Sequence, residues 1–154
     1  MLAWAGTDSS KLKKITTLQK KCIRNVMAKG PISHTDPMFS KLKILKLDDL
    51  FKYNCSTFMH KCNNGLLPES FDNFFLPFAN PNRNNDYIIE KYKNKFLTQF
   101  PTYFLTRIWN SNKRDLKWTE SHKLFKKELY GDLISQYPMT INCREKNCKS
   151  CYQS

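Results

Sequence analysis

Apolar side chains recur at helical spacing in several segments of this chain, and this pattern limits the folds open to it. The clearest segment spans residues 9–29, where one side is apolar and the opposite side is basic. Gly30 and Pro31 follow and favour the end of the helix. The apolar side of this predicted helix contains Leu12, Ile15, Cys22, Ile23, Val26 and Met27. The chain has only four glycines, which disfavours a β-sandwich rich in turns, so we predict a mainly α protein.

Similar patterns predict the remaining organisation. Further helices are expected over residues 36–45, 47–64, 101–110 and 119–136, with a short helix from Pro68 to about Phe75. Asp36 and Thr119 are the expected helix caps. Prolines and asparagines indicate an extended loop over about residues 76–86, and residues 87–98 are ambiguous between strand and helix. We therefore predict a small irregular helical bundle, with one helical domain over residues 1–138 and a flexible, basic, Cys-rich tail over residues 139–154.

The charge distribution indicates the class of ligand. The formal net charge is +13 on 154 residues, and no acidic residue lies between Asp8 and Asp36. The cations in that gap are Lys11, Lys13, Lys14, Lys20, Lys21, Arg24 and Lys29. A dense cationic field attracts polyanions, above all nucleic acid, whose binding releases condensed counterions. We predict that Lys13, Lys14, Lys20, Lys21 and Arg24 bind RNA or DNA; the alternative is that these side chains only solvate a helix face.

Other features exclude some partners and locations. The sequence has no run of 18 or more apolar residues, so we expect no membrane span. Its first residues lack the basic and apolar regions of a signal peptide, which predicts an intracellular protein. Trp4 and Trp118 are candidates for stacking on bases, whereas we assign the other aromatic residues to the core.

We find no catalytic constellation in the sequence. Asp48 and Asp49 resemble a polymerase metal-binding pair, but Lys46 and Leu47 precede them where a polymerase palm hairpin has an aromatic residue. Two acids also suit the positive end of a helix dipole, which is our interpretation. His34, His60 and His122 are scattered along the chain. The sequence does not decide whether a cysteine and a histidine form a nucleophilic pair, because such partners are adjacent in space and not in sequence. We predict no enzymatic activity for the isolated chain.

A candidate metal site lies near the end of the chain. Cys143, Cys148 and Cys151 follow a C-x4-C-x2-C pattern, and thiolates at such spacing can close on one tetrahedral Zn²⁺. A fourth ligand would come from a histidine, another cysteine, a water or sequence outside this chain. The alternative is a terminal tail with free thiols.

The order of these segments resembles a known family. The matching residues are Trp4-Ala-Gly6, Leu18-Gln-Lys-Lys21, Ile23-Arg24, His34, Pro37-Met-Phe39, Leu42 to Leu50, Phe58 to Lys61, Asn64 to Pro68, Phe71, Arg83, Trp109-Asn110 and Phe125-Lys126. The chain resembles the C-terminal, post-polymerase region of reverse transcriptases of LINE-type non-LTR retrotransposons, jockey-like ones in particular. The resemblance extends to about residue 137, and Leu-Gln-Lys-Lys-x-Ile-Arg and Trp-Asn are its most specific parts.

The resemblance implies a function for the parent protein. Such a protein is an RNA-directed DNA polymerase that copies its own RNA at a nicked target, in the nucleus and cytoplasm. Its Mg²⁺ and its catalytic acids belong to the polymerase domain, which is missing here. This chain would be a non-catalytic fragment that holds template RNA or target DNA. Two alternatives stay open: a protein-interaction or structural helical module that docks on the missing polymerase domain, and a small cysteine-dependent enzyme.

Overall fold

The computed structural model describes residues 9–71, 74–77, 86–89, 94 and 97–138. Within these ranges the protein is mainly helical, which confirms the predicted fold class. The helices are α1 (Ser9–Val26), α2 (Asp36–Leu42), α3 (Leu47–Asn63), α4 (Pro101–Ser111), α5 (Arg114–Lys117) and α6 (His122–Ser135). Two 3₁₀ turns, Glu69–Phe71 and Leu97–Gln99, connect them. No helix in the described ranges is long and apolar enough to cross a membrane.

Three helices end in the same backbone motif. Past α3, the Leu66 N–H donates to the Lys61 carbonyl at 2.9 Å and the Gly65 N–H donates to the Cys62 carbonyl at 3.2 Å. This pair of bonds is a Schellman motif, and it places Gly65 in the left-handed region at φ 62°. The same two bonds follow α1 and α2, but there the left-handed residues are Ala28 at φ 49° and Lys43 at φ 51°. Helix α1 therefore ends before the predicted Gly30–Pro31 stop.

The starts of two helices also differ from the prediction. Asp36 is the first residue of α2, and Thr35 takes the N-cap position instead, with its carbonyl accepting from the Phe39 N–H at 3.0 Å. Helix α6 begins at His122 rather than at Thr119. The Thr119 carbonyl accepts a bond from His60, while the Ser121 carbonyl accepts from the Phe125 N–H at 2.9 Å. The first backbone bond of α6 therefore goes to Ser121, and the Thr119 carbonyl bonds to a side chain from α3.

The chain divides into two compact units. The described residues of one unit lie between 51 and 130, and its buried side chains include Cys55, Met59, Leu105, Trp109, Phe125 and Leu129. The other unit contains residues 9–50 and 131–138, and buries Ile23, Met38, Phe39, Leu45, Leu133 and Tyr137. The single domain expected over residues 1–138 stays a prediction.

An isolated antiparallel bridge joins Pro77 and Tyr87, at the two ends of the predicted loop. The Ile88 N–H donates to the Leu76 carbonyl at 2.8 Å beside it. Asn110 holds the segment around Tyr87 in place: its side-chain amide accepts from the Tyr87 N–H at 3.0 Å and donates to the Tyr87 carbonyl at 2.7 Å. The side-chain amide of Asn110 therefore acts as a strand partner for Tyr87.

Candidate nucleic-acid interface

The five predicted nucleic-acid-binding residues lie on one side of α1, which we call the basic face (Lys13, Lys14, Lys20, Lys21 and Arg24). Lys13, Lys14 and Lys21 are exposed, and Lys20 and Arg24 are half-buried. At a rise of about 1.5 Å per residue, Lys13 and Arg24 are separated by about 16 Å along the helix axis. That length equals the rise of about five base pairs along a duplex axis, at about 3.4 Å for each phosphate of one strand.

A different side of α1 holds the helix in place. Ile23 is buried, and Leu12, Thr16, Gln19 and Met27 are half-buried on the same side. The Gln19 amide donates to the Leu45 carbonyl at 2.9 Å and accepts from the Leu47 N–H at 3.0 Å. Gln19 therefore attaches α1 to the connection between α2 and α3. With this side attached, Lys13, Lys14 and Lys21 of the basic face are exposed to solvent.

Arg24 has a defined orientation at the end of the basic face. Its guanidinium Nε donates to the Ser33 carbonyl at 2.9 Å, and its own carbonyl accepts from the Lys29 N–H at 2.9 Å. Both ends of the residue are thereby bound to the turn that follows α1. An arginine has five N–H donors, so the Nε bond leaves the fork of terminal nitrogens available to a ligand.

The sequence of α1 and of the turn that follows it is poor in acidic residues. No acid occurs over residues 9–35, and the next one, Asp36, forms an ion pair with Lys46 at 3.0 Å. Lys46 also lies 4.6 Å above the ring of Tyr137. Because Asp36 has its own cationic partner, it offsets little of the positive field of the basic face. Unlike charges separated by more than about 8 Å are also screened at physiological salt.

The apolar side predicted for α1 is only partly buried. Ile15 is 42% exposed, Leu18 57% and Val26 70%. Together with the exposed Cys22, they form a stripe that we call the outer apolar stripe. The apolar pattern grouped Ile15, Cys22 and Val26 with Leu12, Ile23 and Met27 on one side of the helix. In the structure these three residues are exposed, because the packed side is centred on Ile23, where the polar Gln19 is attached by hydrogen bonds that an apolar pattern does not register.

Asp49 has a structural role in the described residues. The Tyr137 hydroxyl donates to the Asp49 carboxylate at 2.6 Å and accepts from the Lys46 N–H at 3.0 Å. Burial and the bond to Asp49 raise the pKa of Tyr137. Asp48 is exposed in the first turn of α3. This arrangement agrees with our interpretation of the acidic pair as a feature of the helix start.

Sequence reasoning missed a buried histidine pair. His60 is fully buried, stacks on Phe125 with ring centroids 4.2 Å apart, and places Nε2 2.7 Å from the Thr119 carbonyl. Because a carbonyl only accepts, His60 Nε2 carries the proton. Its Nδ1 lies 3.2 Å from His122 Nδ1 and 3.4 Å from the Asn64 amide nitrogen. Burial, followed by the charges of His60, Lys61 and Lys126, lowers the pKa of His122. The hydrogen bonds explain how a polar ring occupies the core.

The other predicted site residues divide into two groups. Cys143, Cys148 and Cys151, the candidate zinc ligands, and Trp4 lie outside the described residues. Among the residues that are described, no three His, Cys, Asp or Glu side chains form a group that could hold a metal ion. Burial raises the pKa of Cys55 to about 12, which opposes formation of a nucleophilic thiolate there. Trp118 is 57% exposed and is accessible for stacking.

The Trp109-Asn110 motif has a packing role. Trp109 is fully buried with its ring centroid 6.1 Å from that of Phe125, and Asn110 pairs with the Tyr87 backbone. Lys117, which is 4% exposed, donates to the Asn110 carbonyl at 3.1 Å and forms an ion pair with Asp86. The motif therefore organises the unit that contains residues 51–130 rather than a ligand site.

Comparison of the chain with models of protein families, with curated proteins and with solved structures finds no match.

Proposed function

We propose that this chain is a non-catalytic, helical nucleic-acid-binding module from the C-terminal region of a LINE-type retrotransposon reverse transcriptase. Its basic face would hold template RNA or target DNA through phosphate contacts. The observation that supports this most is the grouping of Lys13, Lys14, Lys20, Lys21 and Arg24 on one side of a helix whose packed side is attached elsewhere. The assignment to the retrotransposon family rests on the sequence resemblance described above.

The type of recognition follows from the residues present. Lysines and an arginine on a helix face contact phosphates, which positions a nucleic acid without selecting its sequence. The basic face contains no aromatic residue and no acidic residue, so base stacking would have to come from elsewhere, such as the exposed Trp118. We therefore propose binding that depends on charge and length of the nucleic acid more than on its sequence.

The test is the salt dependence of binding. The chain is titrated with a fluorescent oligonucleotide at several salt concentrations, alongside a variant in which the five residues of the basic face are replaced by Gln. Each lost phosphate contact should reduce the slope of log affinity against log salt by about 0.7–0.9. Folding should be preserved, because none of the five residues is in the core.

A control variant separates local contacts from overall charge. Lys41, Arg107, Lys123, Lys126 and Lys127 are five exposed cations outside α1, and their replacement by Gln gives the same net charge. The proposal requires a much larger loss of affinity in the basic-face variant than in this control. Equal losses would mean that only net charge matters, and would contradict the proposed interface.

The second candidate function is docking on the polymerase domain of the parent protein. The outer apolar stripe favours it, since Leu18 and Val26 are large and mostly exposed, and exposed apolar patches often mark interaction sites. Apolar docking responds weakly to salt, whereas phosphate binding weakens steeply. Affinity for nucleic acid that is absent or independent of salt would favour this docking function over the first proposal.

A further inference from the structure

A cleft lies at the C-terminal end of α1, beside the basic face. Its volume is about 300 Å³, and it is lined by Lys21, Arg24, Asn25, Lys29 and Pro31. This volume is at the lower end of the range of small-ligand sites, which begins at about 300 Å³. The lining contains three cations, one amide and one proline, and no aromatic or acidic side chain. A ligand that matches this lining is a compact anion rather than a planar apolar ring.

The backbone that shapes the cleft is fixed by hydrogen bonds. The Schellman motif turns the chain at Ala28. In this motif the Ala28 N–H donates to the Asn25 carbonyl at 3.1 Å, and the Lys29 N–H donates to the Arg24 carbonyl at 2.9 Å. The Ser33 N–H then donates to the Gly30 carbonyl at 3.1 Å. These bonds bring Lys29, which is beyond the helix, back to the side of Lys21 and Arg24. The cationic groups are therefore held around one volume by a defined turn.

Arg24 supplies the orienting group. Its Nε is bound to the Ser33 carbonyl at 2.9 Å, and this bond fixes the plane of the guanidinium. The remaining N–H groups form a fork that fits two oxygens of a phosphate, which is the geometry of bidentate recognition. Lys21 and Lys29 add point charges, and the Asn25 amide adds a neutral donor.

The dipole of α1 repels an anion at the C-terminal end of the helix. Its partial charge has to be compared with the charges of the cationic side chains in the cleft. The C-terminus of a helix is equivalent to about −0.5 of an elementary charge. Arg24, Lys21 and Lys29 together contribute three positive charges, and the Schellman bonds satisfy two of the terminal carbonyls. The net field in the cleft is therefore positive.

We propose that this cleft, formed by Lys21, Arg24, Asn25 and Lys29, binds a single phosphate group of the nucleic-acid backbone. The inference rests on the proposed function and makes it more specific: one phosphate is held in a defined geometry, while Lys13 and Lys14 make diffuse contacts. It adds Asn25 and Lys29 to the interface. Anchoring one phosphate would set the position of the strand along the basic face.

Single substitutions in the full-length chain test the geometry of the cleft. Arg24→Lys keeps the charge and removes the fork, and Lys29→Gln removes a charge from the cleft; each should weaken oligonucleotide binding about tenfold, the effect of one charge-assisted hydrogen bond. Lys13→Gln removes the same charge as Lys29→Gln, but from the exposed basic face, and should weaken binding by about fivefold at most. Thermal unfolding of each variant checks that the fold is intact, and Lys29→Gln tests the proposal if Arg24→Lys destabilises the turn.

Inorganic phosphate provides a probe that does not need nucleic acid. Titration of the ¹⁵N-labelled chain should give saturable chemical-shift changes at residues 24, 25 and 29, and Lys29→Gln should abolish the saturation. Shifts that are linear and spread over all lysines would overturn the cleft as a site. If the five-Gln variant loses nucleic-acid binding while Arg24→Lys and Lys29→Gln behave like Lys13→Gln, the cleft proposal fails and the proposed function stands. If the intact chain binds no nucleic acid, both fail.

Discussion

Glycine-to-alanine substitution should have opposite effects at two positions of this chain. Gly65 follows α3 at φ 62°, and a Cβ atom built there meets no atom within 4 Å other than those of its chain neighbours. Gly131 lies inside α6, where a Cβ atom also meets nothing within 4 Å. Contact with residues beyond the chain neighbours and the local helix backbone is therefore absent at both sites, so the local backbone conformation determines the sign. We expect Gly65→Ala to destabilise the protein and Gly131→Ala to stabilise it.

The magnitudes follow from backbone energetics. A residue with a Cβ in the left-handed region costs about 1–2 kcal/mol, and the loss of glycine's unfolded-state entropy offsets about 0.5–1 kcal/mol of this. Gly65→Ala should therefore lower the free energy of unfolding by about 1 kcal/mol. Alanine is favoured over glycine by about 1 kcal/mol inside a helix, so Gly131→Ala should raise the free energy of unfolding by that amount. Each change corresponds to a Tm shift of about 2–4 °C.

The reverse substitution at α1 completes the series. Ala28 has φ 49°, so Ala28→Gly should raise the free energy of unfolding by about 0.5–1 kcal/mol. Urea and thermal unfolding of the three variants, followed by circular dichroism, would measure these effects. Shifts of the same sign for Gly65→Ala and Gly131→Ala would refute the argument, because the two substitutions are chemically identical.

Three further predictions concern other parts of the chain. Burial lowers the pKa of His122 in the folded state, whereas the same histidine titrates near about 6.5 in the unfolded chain. Just below pH 6.5 the unfolded chain therefore binds more protons than the folded chain, and thermal stability should fall as the pH drops. His122→Gln should reduce this dependence. Tyr137→Phe should lower the free energy of unfolding in urea by about 1–3 kcal/mol, since Asp49 and the Lys46 N–H lose their common partner; an unchanged value would mean that solvent replaces the hydroxyl. If Cys143, Cys148 and Cys151 bind Zn²⁺, metal analysis should find about one ion per chain, and Cys148→Ser should remove it; metal-free protein with three alkylatable thiols there would contradict the site.

Local sequence signals predicted the helices well. The predicted helix over residues 47–64 ends within one residue of α3, and the residue in the left-handed position after it, Gly65, is of the type most often found there. The same motif at Ala28 and Lys43 was not predictable, because neither residue has a preference for that conformation.

The sequence predicted which charged residues form the candidate site, but it did not predict how the backbone arranges them. The gap in acidic residues identified the basic face of α1 from sequence, and the structure places those five residues on one side of the helix. Lys29 was outside the predicted set, because its position beside Arg24 depends on the turn at Ala28. Gln19 and His60 were also missed, because their hydrogen bonds to Leu45, Leu47 and Thr119 connect segments far apart in sequence.

The most direct measurement of the central claim is a footprint of lysine reactivity. The chain would be acetylated with and without a saturating oligonucleotide, and the modified lysines would be quantified by mass spectrometry. We expect strong protection at Lys13, Lys14, Lys20 and Lys21, and little change at the exposed Lys41, Lys123 and Lys127. Uniform protection of all these lysines, or protection confined to α6, would contradict the assignment of α1 as the nucleic-acid interface.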